Sequence, residues 1–402
     1  MSFQTGLAGL NASSRSLDVI GNNIANANTT GMKSSRAEFG DLVASSLGLG
    51  GGGGLQGGIG VTINAIAQQF TQGNITITGN NLDVAINGGG FFQLTQADGS
   101  TAYTRDGAFK LDKDGYIKTN TGSFVMGYDT DLTGKTTNTT PTKRQLPTTA
   151  PISAKATTAV VTEFNLDART VLPAPGATRT DGTAVTVYDS QGSAIPVSLY
   201  FERIASTTTD NWDVYDAPTG GNLIASLTFG ANGSLVSPIA PVSLTVTNTA
   251  HPVAGDVVTT IDFSKATQYG AAFSISNLSQ NGYPPGELTG MSINESGLIT
   301  ARYSNGQTQY NGQLAMADFR NVQGLQPLGG NAFSATFSSG DPLVGSPGVG
   351  RMGVIQSGAL EESNIDLTAE LVNMMTAQRS YQANAQNIKT QDQIMSTLVN
   401  LR

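Results

Sequence analysis

Residues 363–402, SNIDLTAELVNMMTAQRSYQANAQNIKTQDQIMSTLVNLR, constrain this chain most. Leu367, Met374, Tyr381, Ile388 and Met395 recur every seven residues, with Leu371, Ala385 and Val399 on interleaved positions. This is the 3-4 spacing of a coiled-coil stripe. Neither Gly nor Pro interrupts the run. Glu361, Glu362 and Asp366 crowd its start, Ser363 and Asp366 form an S-x-x-D capping pattern, and Arg402 ends it, in agreement with the helix dipole. A helix of about 38 residues would span about 57 Å. Ordering its backbone costs about 1–2 kcal/mol per residue, and each fully buried large apolar side chain returns about 1.5–3 kcal/mol. One stripe does not cover that cost, so the helix needs neighbours. The off-stripe residues Val372, Met375, Ile394, Leu398 and Leu401 point to contacts on more than one side.

The other end repeats the design. Phe3, Leu10, Leu17 and Ile24 are seven apart, with Leu7, Ser14 and Gly21 between them, so the two ends are expected to be partners. Polar members of the stripes, Ser14, Gly21, Gln378 and Asp392, are expected to trade stability for control of register and association. The N-terminus lacks the basic region of a secretion signal, and no segment approaches the roughly 20 apolar residues of a membrane span.

The middle of the chain is of another kind. Only 12% of residues are charged and 49 are Gly, a composition of strands and turns with uncharged polar surfaces. The net charge of −8 argues against nucleic acid or an anionic membrane as a partner, and without a spanning segment no membrane insertion is expected. Cysteine is absent, which excludes disulfides, thiolate metal sites and cysteine nucleophiles. Ser45 to Gly60, SSLGLGGGGGLQGGIG, reads as a flexible tether with Gly50, Gly51, Gly52, Gly53 and Gly54 as its hinge. Neither the Lys-Ser/Thr nor the helix pattern of a phosphate-binding loop follows it. Alternation begins in VTINAIA and NITIT between Val61 and Thr78. From Ile86 to Tyr128 the turn pairs Asp98-Gly99, Asp106-Gly107, Asp114-Gly115 and Thr121-Gly122 predict a meander of short hairpins. A Thr- and Pro-rich stretch over 136–151 marks a boundary, strand-like segments follow, and Pro284-Pro285 closes them. A hairpin turn is expected at Asn305-Gly306. Trp212 reads as a core residue, and His251, the only histidine, has no nucleophile near it in sequence.

The runs NNIANANTTGMK and AQRSYQANAQ, with SGALEESNIDLTAELVNMM before the second, resemble the flagellar rod and hook axial protein family of bacteria. Met32 departs from the aromatic residue that this family usually carries before the lysine. The block AINGGGFFQLTQADGSTAYTRDGAFKLDKDGYIKTNTGSFVMGYD is similar to the family's inner β-domain, and YDSQGSAIPVSLYF and GYPPGELTGMSINESGLITARYSNGQTQ to its outer and returning segments.

The expected fold is mainly β with α-helical termini, nested β-domains being inserted between N- and C-terminal coiled-coil helices. The helical domain takes 1–30 plus 360–402, a flexible connector 31–70, the inner β-domain 71–147 plus 285–358, and the outer β-domain 148–284. The resemblance implies a structural subunit, with no enzyme activity, cofactor or metal, that polymerises into the curved hook coupling motor to filament. The distal rod protein of the same family lacks so large an outer insertion, and a β-rich surface adhesin would leave the paired heptads without a role. The implied partners are further copies of the chain in a helical homopolymer, the hook cap protein, the distal rod protein, the hook–filament junction protein and the flagellar export apparatus. The implied location is extracellular, in the flagellum, reached through the flagellar type III apparatus.

Overall fold

The computed structural model describes residues 3–43, 58–131, 133–147, 151–174, 177–206, 210–248 and 252–400. Helix α1 (Phe3–Ala25) and helix α2 (Leu367–Asn400) occupy the two ends, and nearly everything regular between them is strand. The chain divides into two compact units, one of residues 1–148, 291–301 and 309–402, the other of 149–290 and 302–308.

In the first unit, outgoing and returning segments pair strand by strand. Ile75–Ile77 lies antiparallel to Ala359–Glu361, Val84–Asn87 to Val354–Ser357, Phe92 faces Met316, and Ala332 faces Thr104. The strands Phe91–Thr95, Thr101–Thr104 and Phe124–Tyr128 form the middle of a larger sheet. Period-2 alternation turns one face of them inward, and the core collects Val84, Ile86, Phe92, Leu94, Phe109, Ile117, Val125, Leu314, Met316 and Ile355. A second cluster gathers Phe91, Tyr103, Phe319 and Phe333, edge to face, with Tyr103 and Phe319 centroids 4.8 Å apart.

Three of the predicted turns have the backbone that their glycines permit: Gly99, Gly115 and Gly122 lie at φ +88°, +79° and +86°. Asp106-Gly107 does something else. A Cβ on Gly107 would sit 1.6 Å from the Val84 carbonyl oxygen, so this glycine admits a neighbouring strand where a hairpin is expected.

The connector expected over 31–70 also differs. Strand β1 (Ser35–Val43) and strand β2 (Gly58–Gln68) form an antiparallel hairpin, from Ser35 opposite Gln68 to Val43 opposite Gly58. The alternation in VTINAIA is β2; its partner SRAEFGDLV has a weaker pattern, and the pairing supplies the backbone bonds that its sequence does not advertise. Gly50, Gly51, Gly52, Gly53 and Gly54 lie outside the described residues, as does His251.

The second unit is a sandwich of two five-stranded sheets. One is a meander of Asp181–Tyr188, Ala194–Ile204, Asp210–Tyr215, Leu223–Phe229 and Leu235–Ser237. The other centres on Ala159–Asp167, flanked by parallel Val257–Asp262 and Thr267–Tyr269 and antiparallel Ser274–Gln280. Their inner faces share one core, which contains Trp212, Phe164, Phe201, Leu199 and Ile261. Gly306 takes φ +79° in the turn expected there.

Candidate functional site

The two helices pack antiparallel. Gly6 lies against Ile388, Gly9 and Ser13 against Asn384, and Asn23 against Glu370. On α1 this seam runs through Gly6, Gly9, Ser13 and Asn23, one step around from Phe3, Leu7, Leu10, Leu17 and Ile24. Small side chains let the helices approach; a Cβ on Gly9 would come within 2.9 Å of the Asn384 side chain. On α2 the half-buried side chains are Glu370, Met374, Ala377, Asn384, Ala385, Ile388 and Gln391, so the stripe and the seam coincide only at Met374, Ala385 and Ile388.

The remaining predicted stripe is turned largely outward. Phe3, Leu7, Leu367, Leu371, Tyr381 and Met395 are exposed, Leu371 at 51% and Met395 at 61%, and so are Val372, Met375 and Ile394 beside them. Leu10, Leu17 and Ile24 are half-buried. Val399 belongs to α2, but its side chain lies outside the description. Among the polar stripe members, Gln378 and Asp392 face solvent, and nothing lies within 4 Å of a Cβ built on Gly21. Because Gly6 already meets Ile388, the last turns of α2 extend past the start of α1.

What fixes the pair to the β-unit is a set of residues that sequence reasoning missed. Glu361 is fully buried; its Oε1 accepts from Lys33 Nζ at 2.6 Å and from the Gly73 amide at 3.0 Å, and its Oε2 from Arg105 Nη1 at 3.1 Å. Lys33 also donates to the Thr71 carbonyl at 2.7 Å, and Arg105 to the Gly88 carbonyl at 2.7 Å while lying over the Phe91 ring. One carboxylate therefore joins the segment after α1, the sheet, and the segment before α2. Burial holds the Lys33 ammonium below its ordinary range and lowers Arg105 as well, Glu361 acting against both shifts. Glu361, which by position in the sequence would serve the helix dipole, lies in a strand ahead of α2, and the carboxylate at the helix start is Asp366. Asp366 accepts from the amides of Thr368 and Ala369 at 2.8 and 3.1 Å and is itself the cap, whereas Ser363 receives the Ile365 amide.

Asparagines complete the junction. Asn23, buried, donates to the Ser35 carbonyl and Glu370 and accepts from the Ser35 amide, joining α1, β1 and α2. Asn364 accepts from the Ser34 amide and donates to the Gln69 carbonyl. Gly31, at φ +68°, donates its amide to the Glu361 carbonyl, and a Cβ there would sit 2.5 Å from the Asp106 nitrogen. Thr30 donates to Asp106, whose carboxyl is pushed up by burial. From the asparagine-rich run, Asn23, Thr30, Gly31 and Lys33 thus stitch the junction, while Asn26 bonds back to Asn22 at the end of α1. No group of three or more His, Asp or Glu among the described residues is placed to hold a metal ion, and no described helix is long and apolar enough to cross a membrane.

Comparison with known proteins covers the chain from end to end. The flagellar basal body rod protein family matches residues 3–33, the flagellar hook protein FlgE/F/G D1 domain 85–163, the flagellar basal body protein FlaE D2 domain 163–283, and the flagellar basal body rod FlgEFG C-terminal family 356–401. The flagellar hook protein FlgE of Escherichia coli K12 is 42% identical, and that of Salmonella typhimurium LT2 41%, each alignment covering 100% of both chains. The Treponema pallidum protein is 31% identical over 100% of this chain and 99% of its own. The crystal structure of Helicobacter pylori flagellar hook protein FlgE2 shares the fold at a TM-score of 0.55 and 16% identity, covering 71% of this chain and 100% of that one. With helices at both ends, nested β-units between them and full-length identity above 40%, this chain belongs to the flagellar hook protein FlgE family and is a structural subunit of the bacterial flagellum's hook.

Proposed function

We propose that copies of this chain assemble through their terminal helices into a helical homopolymer, the tube of the hook, which carries torque from rod to filament. The observation that carries this reading is the outward display of Leu367, Leu371, Val372, Met375, Tyr381, Ile394 and Met395 along a helix whose own seam with α1 is mostly small and polar. A chain that spends glycine, serine and asparagine on its internal seam and shows leucine and methionine to solvent has its apolar contacts to make elsewhere. Helices of other copies, meeting the stripe Phe3, Leu7, Leu10, Leu17 and Ile24 and its counterpart on α2, satisfy that demand.

In this reading the chain leaves the cell through the flagellar type III apparatus and adds beneath the hook cap protein. The polymer stands between the distal rod protein and the hook–filament junction protein. Electron microscopy of the purified full-length chain at rising concentration tests the reading. Tubes appearing above a threshold concentration support it, and a chain that stays monomeric at millimolar concentration overturns it.

A further inference from the structure

Phe337 is the most exposed large apolar side chain among the described residues, at 104% of its reference area. Its loop is not loose. Thr336 donates its amide to Ser339 Oγ at 2.9 Å, Ser339 returns its own amide and hydroxyl to the Thr336 carbonyl, and Thr336 Oγ1 donates to the Gly324 carbonyl. Asn321, which caps the short turn Val322–Gly324, donates to the Ser338 carbonyl at 3.0 Å. Ser339 is buried, and a Cβ on Gly324 would lie 2.4 Å from its nitrogen. An aromatic ring held out by a stitched loop binds with little entropy left to lose.

The surroundings point to what covers it. Among the described residues, the strand Gln326–Gly329 ends its sheet and Leu343–Gly345 pairs only with Met316–Asp318; the loop leaves Ala332–Ser334, the neighbour of the first of these edges, and leads into the second. Leu328, Leu343 and Val344 on them are exposed. Pro327 within the first and Pro342 before the second have no amide hydrogen to offer a further strand, which disfavours main-chain pairing there and favours contact through side chains. The Glu361 junction fixes this β-unit beside the helices. When helices of successive copies pack, their β-units are therefore brought alongside one another, and an open helical array needs a projecting patch on each copy that meets a different patch on the next.

Resting on the homopolymer reading above, we propose that Phe337 is a contact knob that docks on the β-unit of a second copy. The test is the full-length chain carrying photoreactive benzoyl-phenylalanine at 337, irradiated as monomer and as polymer, with isotopically mixed copies to separate links within a chain from links between chains. The expected result is a covalent dimer formed only in the polymer, joining 337 to a residue of the second copy's β-unit. A link confined to residues 44–57 of the same chain overturns the proposal. Tubes that form and give no dimer overturn it too while leaving the polymer reading intact, and the absence of tubes removes both. Phe337→Ser is expected to raise the threshold concentration for tubes at least about tenfold with unchanged monomer melting; an unchanged threshold counts against the knob.

Discussion

The helix pair and the inner β-core belong to one unit of the same chain, yet they distribute their apolar residues in opposite ways. The core hides Phe92, Leu94, Phe109, Ile117 and Met316 almost completely, whereas α1 buries only Ile20 and Asn23 and α2 leaves most of its large apolar side chains in water. The β-unit is built to be stable in one copy. The helices acquire a comparable interior only when something outside the chain supplies it. Between the two stands the Glu361 cluster, whose polar bonds tie a weakly packed element to a strongly packed one.

The largest effects follow from breaking what the two regions share. Glu361→Ala leaves Lys33 and Arg105 buried without their carboxylate, and a buried pair broken on one side costs about 3–5 kcal/mol. Denaturant unfolding should register that loss, and brief proteolysis should then remove both ends while a β-rich core survives. If the ends resist protease as in the parent, the cluster is not what holds them.

Phe92→Ala strikes the core alone. Its side chain is fully buried, so unfolding free energy should fall by about 3–5 kcal/mol. A loss below about 1 kcal/mol would mean that the β-unit does not depend on its interior as described.

A smaller effect sharpens the role of the junction. Burial sets the Lys33 ammonium below its ordinary value of 10.5, so between the lowered value and 10.5 the unfolded chain binds more protons than the folded one. Stability contributed by this group therefore rises with pH across that window. The melting difference between the parent and Lys33→Met should grow in the parent's favour as pH climbs toward 10.5. A difference that stays flat or shrinks contradicts the sign.

Much of this organisation is legible in the sequence. The 3-4 spacing at both ends, the uncharged glycine-rich middle and the Asp-Gly turns at 98–99 and 114–115 are local patterns, and local physics reads them directly. What was not legible depends on contacts distant in sequence. Glu361 sits among acids that a helix start would also want, and only the return of the chain past Lys33 and Arg105 turns it into a buried anchor. Asp106-Gly107 has turn chemistry but serves close packing against Val84. The hairpin of β1 with β2 was hidden because one partner alternates poorly and a glycine run separates the two. The seam of α1 escaped notice for a related reason: apolar spacing attracts attention, and the residues that let two helices touch are glycine, serine and asparagine.

The central claim is that the helices' exposed apolar residues serve other copies rather than their own chain. It is tested most directly by Leu371→Gln combined with Met375→Gln, adjacent on α2 and exposed at 51% and 52%. Monomer melting and threshold concentration for tubes are measured on the same preparation. The account predicts monomer stability within about 0.5 kcal/mol of the parent. It predicts a threshold raised at least about a hundredfold, since two buried large apolar side chains at about 1.5–3 kcal/mol each are worth about 3–6 kcal/mol together. A double variant that melts several degrees lower as a monomer yet forms tubes at the parent's threshold would contradict it.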